Sequence, residues 1–149
     1  MQFTANVGEI LDTDQYNDMR TRGCDPCVGL IVIYDQGNGN LVKRCAHFTV
    51  NFAGPYTQAR IDQALNPILQ NYFPQKDIVT VGYTWGGQSK GMGSDLIYNN
   101  LQAYFAAFQP VESNTNDSIT TNGQNIQVSN NEQWAFTFNP PNNSFADLN

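Results

Sequence analysis

Val28-Gly29-Leu30-Ile31-Val32-Ile33-Tyr34-Asp35, then Gln36-Gly37-Asn38-Gly39-Asn40, then Leu41-Val42-Lys43-Arg44-Cys45-Ala46-His47-Phe48-Thr49-Val50-Asn51-Phe52 is the stretch that decides the fold. The first run is almost wholly apolar and rich in β-branched side chains, so it reads as a strand buried on both faces. The glycine- and asparagine-rich pentapeptide is a hairpin turn signal. Residues 41–52 then read as the return strand of an antiparallel hairpin.

Other elements arrange themselves around this hairpin. Residues 2–11 alternate, with Phe3, Ala5 and Val7 set against Thr4, Asn6 and Gly8, and read as one strand. Residues 12–22 are polar and read as a loop. Ile61, Leu65, Ile68, Leu69, Tyr72 and Phe73 recur at helical spacing, with Thr57 as N-cap, a kink expected near Asn66 because of Pro67, and a stop at Pro74. Ile78–Trp85 reads as a strand and Gly86–Gly93 as a loop. Ser94 is expected to cap a second helix with an apolar face of Leu96, Ile97, Leu101, Tyr104, Phe105 and Phe108, closed by Pro110. Residues 112–125 read as an exposed loop, Ile126–Val128 and Trp134–Phe138 as a final strand pair, and the tail from Asn139 as irregular. The expected architecture is a single α/β (α+β) domain over 1–149, with a mixed β-sandwich core and two flanking helices.

Composition narrows the possible partners. The 149 residues are 40% hydrophobic and 12% aromatic, enough for a packed core, and no window approaches a membrane-spanning length of apolar residues. Seven Lys and Arg against thirteen Asp and Glu give a net charge of −6, which argues against nucleic acid and anionic membrane surfaces. Charged residues are 13%, about half the usual share, and 19 Asn with 13 Gln supply the polar surface instead. The N-terminus lacks a basic segment followed by an apolar one, so the expectation is a cytoplasmic protein, with leaderless export or delivery into another cell left open.

The reactive set is Cys24, Cys27, Cys45 and the single histidine His47. An odd cysteine count without a leader argues against a disulfide framework. The spacing C-x2-C-x17-C-x-H holds, in principle, the ligands of a Cys3His zinc site, since Cys45 and His47 share a strand face. Cys24-Asp25-Pro26-Cys27 also matches a redox C-x-P-C motif. That motif needs a helix after it, and here a strand follows. A third possibility is a thiol nucleophile. Cys27 sits where loop passes into strand, and His47 on the return strand supplies a base. Backbone N–H groups of the Gly23–Cys27 turn are candidates for an oxyanion hole, and some hydroxyl, amide, carboxylate or carbonyl must orient the imidazole. Against all of these stands the ordinary fate of both residue types: a cysteine buried in the core, a histidine with a structural role.

Register arithmetic sets a condition on the nucleophile. A two-residue turn at Asn38-Gly39 pairs His47 with Leu30 and leaves Cys27 roughly 10 Å away along the strand. A three-residue loop centred on Gly37 places Cys27 across from His47. The chemistry therefore needs that loop, a bulge, or a bend at Cys27.

The run Thr21-Arg22-Gly23-Cys24-Asp25-Pro26-Cys27 entering the apolar strand to Tyr34-Asp35, followed by a glycine-containing turn and a strand reaching His47, resembles the chemoreceptor glutamine deamidase CheD family and, with it, the cytotoxic necrotizing factor group of bacterial deamidase toxins. Val79-Thr80-Val81-Gly82-Tyr83-Thr84-Trp85-Gly86-Gly87 and the helix carrying Asn99 are similar to the family's strand, Gly-Gly, loop and helix. The resemblance implies Cys27 as nucleophile, His47 as general base and acid, and Thr21 as the hydroxyl that orients the histidine. The implied reaction is hydrolysis of a protein glutamine amide through a cysteine thioester, with no cofactor and no metal. The implied partner is a protein presenting an exposed Gln to a monomer. Cys24-Asp25-Pro26 departs from the small residues and Gly-Ser that the family places before its cysteine. Cys27-Val28-Gly29-Leu30 is also similar to the Cys-Ser-Gly-Leu start of cell-wall cysteine amidases and peptidases, but that family opens a helix there. The alternative to an enzyme is a binding or structural protein that keeps the fold, with Cys27 buried and far from His47.

Overall fold

The apolar run becomes β4 (Val28–Asp35), in which every residue but the last is buried. Its even-numbered side chains Val28, Leu30, Val32 and Tyr34 enter one core, while Ile31 and Ile33 enter a second. β4 lies between β5 (Leu41–Val50) and β6 (Ile78–Thr84), both antiparallel to it. The structure, a computed structural model, describes residues 1–135 and 139–149.

Among the described residues the protein is α+β, with two α-helices and ten strands in two sheets. The larger sheet runs β5–β4–β6 and ends on β7 (Val111–Ser113), which pairs in parallel with β6. The other edge of β5 is shared: β2 (Ile10–Asp14) lies antiparallel along its first half and β10 (Asp147–Leu148) parallel along its end. The smaller sheet has the order β1 (Gln2–Thr4), β3 (Asp18–Thr21), β8 (Ser118–Asn122), β9 (Asn125–Ser129). The two sheets enclose Met19, Ile31, Ile33, Cys45, Ile119 and Ile126, which makes the β-sandwich.

Helices α1 (Gln58–Tyr72) and α2 (Ser94–Tyr104) cover the other face of the larger sheet, and a short 3-10 turn (Ala106–Phe108) follows α2. Thr57 Oγ1 accepts from the Arg60 amide at 3.2 Å, as an N-cap does. Helix α1 does not restart at Pro67 but runs through it. An interior proline costs about 3 kcal/mol. Burying Ile61, Leu65 and Leu69 at four-residue spacing returns about 1.5–3 kcal/mol each, and Pro67 sits on the exposed side. The cap of α2 is Gly93 rather than Ser94. Gly93 has φ +97°, and a Cβ on it would lie 2.9 Å from Val50 Cγ2, so glycine alone fits. Among the described residues no helix is long and apolar enough to cross a membrane.

Five other expectations need correction. Residues 2–11 are two strands in different sheets, β1 and β2. The polar stretch 12–22 contains β3, whose Met19, Arg20 and Thr21 are buried. Arg20 tolerates burial because its guanidinium donates to Thr4 Oγ1 at 2.9 Å and to Gln2 Oε1, and stacks over Trp134 at 4.6 Å. The stretch 112–125 contains β8, and the described strand beside β9 is β8. Trp134 and Ala135 are not strand, and residues 136–138 lie outside the described residues. The tail returns as β10, with Ala146 and Leu148 fully buried.

Candidate active site

The hairpin loop sets which side chains meet. Gln36 donates to the Asn40 carbonyl at 2.8 Å and Asn40 to that of Gly37 at 3.1 Å, around Gly37, Asn38 and Gly39, all at positive φ. This gives neither of the two registers considered above: His47 pairs with Gly29 and Phe48 with Val28. His47 and Cys27 then fall on the same side of the hairpin, diagonally related, at roughly the 7–8 Å typical of such neighbours. In the Asn38-Gly39 register they would lie on opposite faces.

Gly29 makes room on that face. A Cβ there would come within 2.8 Å of Thr21 Cγ2 and 2.9 Å of Cys24 Sγ. The missing side chain lets β3 bring Thr21 down onto His47. Thr21 Oγ1 lies 2.7 Å from His47 Nδ1 and 2.8 Å from the carbonyl oxygen of Ala5. A hydroxyl has one proton, and only it can serve a carbonyl, so Thr21 donates to Ala5. His47 Nδ1–H must then donate to Thr21, a tautomer assigned by the hydrogen bonding. The lone pair is left on Nε2, which is buried and has no partner among the described residues. Backbone bonds fix the strand beneath the ring: His47 N–H to Glu9 O at 3.0 Å and Gly8 N–H to His47 O at 2.9 Å. Burial pushes the imidazole pKa down to about 4, so His47 is a neutral base at pH 7.

Cys27 is nearly as buried, at 7% exposure. The side chain of Thr49, two residues beyond His47 on β5, lies beside its thiol, and no hydrogen bond joins the thiol to His47. Burial raises the thiol pKa; the neighbouring Thr49 side chain opposes this and the Asp25 charge adds to it. The structure thus places Thr21 against His47 and puts Cys27 on the same face, beside Thr49.

Two loops hold the turn before Cys27. Cys24 N–H donates to Asp117 O at 2.9 Å, and Cys24 O accepts from Gly86 N–H at 2.8 Å. The Asp25 carboxylate accepts the amides of Gln88 and Ser89, at 2.9 and 3.0 Å, and the Ser89 hydroxyl. Asp25 N–H bonds Gly23 O at 2.9 Å and Pro26 has no N–H, so within the turn Gly23 and Cys27 are the candidates for an oxyanion hole. All three thiols are free, and burial raises the pKa of Cys24 and of Cys45 as well. Among the described residues no three His, Cys, Asp or Glu side chains converge as metal ligands.

Sequence reasoning missed Thr49, Gly29, Asp25 and the Ala5 carbonyl. Thr49 was within reach, because it shares a strand face with His47 at a spacing of two. The rest depend on contacts between distant segments. The chain matches no protein-family model and no curated protein.

Proposed function

We propose that the chain is a cysteine-dependent amidohydrolase that converts exposed glutamine side chains of a protein to glutamate, in the manner of the CheD-like deamidases it resembles. The observation that carries this reading is the chain of bonds from Ala5 O through Thr21 Oγ1 to His47 Nδ1. It leaves an unpaired basic Nε2 on the face that also bears Cys27. Such an arrangement is what a general base needs: a fixed tautomer, a fixed ring and a lone pair free to take a proton.

With the imidazole pKa near 4 and the thiol raised, the resting pair is neutral. The reaction therefore begins with rotation of Cys27 away from Thr49 toward Nε2. Sγ attacks the glutamine carboxamide carbon while Nε2 takes the thiol proton. The tetrahedral intermediate collapses as the C–N bond breaks, and His47 gives its proton to the departing ammonia. Water, deprotonated by the same nitrogen, hydrolyses the thioester to glutamate and returns the thiol.

The test is incubation with a glutamine-bearing protein library, scored by ammonia release and by +1 Da shifts at Gln. Cys27→Ser should lower the rate by about three orders of magnitude or more at unchanged circular dichroism. Retained activity in that variant overturns the assignment.

One observation favours a second reading, a binding or structural protein that keeps this fold. The Cys27 thiol is buried and no hydrogen bond joins it to His47. Under that reading iodoacetamide labels Cys27 no faster than Cys24 or Cys45. Under the enzymatic one Cys27 is labelled first, and more slowly in His47→Ala.

A further inference from the structure

We propose that Asp25 is a positioning residue for Cys27: its carboxylate fastens the turn that carries the nucleophile to the loop Gly86–Gly93, and the reaction uses this fastening rather than the charge. The inference rests on the amidohydrolase reading above. It names a residue that the family resemblance does not, since Cys24-Asp25-Pro26 is where this chain departs from that pattern.

Cys27 stands just outside β4, whose ladders begin with Val28 against Phe48 and Gly29 against Thr84. Strand pairing therefore fixes the chain only on the far side of the nucleophile. On the near side Pro26 has no N–H to anchor. The main-chain bonds of Cys24 to Asp117 O and to the Gly86 N–H reach no further than Cys24. Asp25 supplies the next tie. Its Oδ2 accepts the Gln88 amide at 2.9 Å, and its Oδ1 accepts the Ser89 amide at 3.0 Å and the Ser89 hydroxyl. A carboxylate that takes donors on both oxygens cannot turn without losing one of them. The loop is shaped to receive it: a Cβ on Gly86 would lie 2.6 Å from Asp25 Oδ2, and one on Gly87, at φ +85°, would overlap Asn114 O. Only glycine lets this loop come so close.

Charge alone would give Asp25 the wrong sign for catalysis. A carboxylate near a thiol opposes its ionisation, as burial already does at Cys27. A residue acting through its field would therefore slow the step in which Sγ becomes a nucleophile. What Asp25 offers is order. The Cys27 N–H, one of the two oxyanion candidates, and the bond from Cα to Cβ that aims Sγ both belong to the segment it pins. A misplacement of about 1 Å at such a centre costs on the order of a hundredfold in rate.

Asp25→Asn keeps the size of the side chain, removes the charge and sets an NH2 group against one of the loop amides. In hydrogen exchange of the full chain, the Gln88 or Ser89 amide that loses its acceptor should exchange at least about tenfold faster. Iodoacetamide labelling of Cys27 should shift to lower pH, because the opposing charge is gone, while labelling of Cys45 stays as in the parent. Ammonia release from the glutamine-bearing library should nonetheless fall at least about tenfold. A thiol that ionises more readily in a slower enzyme is the signature of positioning. Gly86→Ala displaces the carboxylate but keeps its charge. It should lose ammonia release by a similar factor with no downward shift in labelling, and it decides the matter if Asp25→Asn fails to fold. Unchanged or faster ammonia release in Asp25→Asn overturns the proposal, as does unchanged exchange at both amides. Labelling of Cys45 that rises together with that of Cys27 assigns Asp25 to general stability and overturns it too. A parent protein that releases no ammonia defeats the deamidase reading by itself, and exchange and labelling then decide alone whether Asp25 fixes Cys27.

Discussion

The two faces of the β4–β5 hairpin are built by different physics. On the helical face Val28, Leu30, Val32, Ala46 and Phe48 pack against the apolar sides of α1 and α2. On the other, Gly29, Lys43, His47 and Thr49 alternate with Ile31, Ile33 and Cys45 and meet the smaller sheet. Apolar burial is non-directional and tolerates many arrangements. Polar burial is tolerated only when each group finds a partner. Lys43, 1% exposed, is held by Asp18 at 3.0 Å and Asn17 O at 2.7 Å. His47 is held at Nδ1 and left unpaired at Nε2. The face that needs directed bonds is therefore the face where one withheld bond becomes a reagent.

This contrast makes predictions that differ by face. The largest stability effect belongs to the helical side: Leu65→Ala should cost about 3 kcal/mol in urea unfolding and leave the alkylation rate of Cys27 unchanged. A loss below about 1 kcal/mol would mean that the helical layer is not the main source of stability. A comparable effect on the polar side should appear only in acid. His47 has an ordinary pKa of 6.5, lowered to about 4 in the folded protein. Between those values the unfolded chain binds a proton that the folded one refuses. Stability should therefore be complete above pH 6.5 and fall as the pH drops toward 4, by on the order of 3 kcal/mol. His47→Gln should flatten that part of the curve, and an unchanged slope would show that carboxylates account for it instead.

Gly29→Ala comes next. The new methyl meets Thr21 and Cys24 at 2.8 and 2.9 Å, so a loss of about 2 kcal/mol is expected, partly restored by adding Cys24→Ala. The restoration, measured as a double-mutant cycle, is the informative number. Smallest of all, Thr49→Val removes the hydroxyl that lowers the thiol pKa. Stability should change by about 1 kcal/mol or less, and the pH profile of iodoacetamide labelling at Cys27 should move upward. An unmoved profile would remove Thr49 from the site.

Legibility in the sequence follows the same divide. β4, β5, β6, both helices and their apolar faces are periodic and local, and the residues announce them. β3 and β8 are not announced, because Asp18-Met19-Arg20-Thr21 and Ser118-Ile119-Thr120-Thr121 carry polar side chains whose partners lie elsewhere in the chain, as when Thr121 Oγ1 serves both the Met19 amide and Asp18. The fate of Pro67 was illegible for a related reason: the propensity against it is local, while the burial that outweighs it is tertiary.

By itself the sequence determined that an apolar hairpin would be buried on both faces, that two amphipathic helices would pack on it, and that Cys27 would stand at the entry of one hairpin strand with His47 on the other. Only the tertiary structure decided the register that puts both on one face. It alone set Thr21 over an absent side chain at Gly29, assigned the histidine's tautomer through the Ala5 carbonyl, and put Thr49 beside the Cys27 thiol. The physical reason is one of range. Strand and helix patterns arise from neighbours a few residues apart, whereas a proton's position on His47 depends on an oxygen 42 residues earlier in the chain, brought near only when the two sheets close.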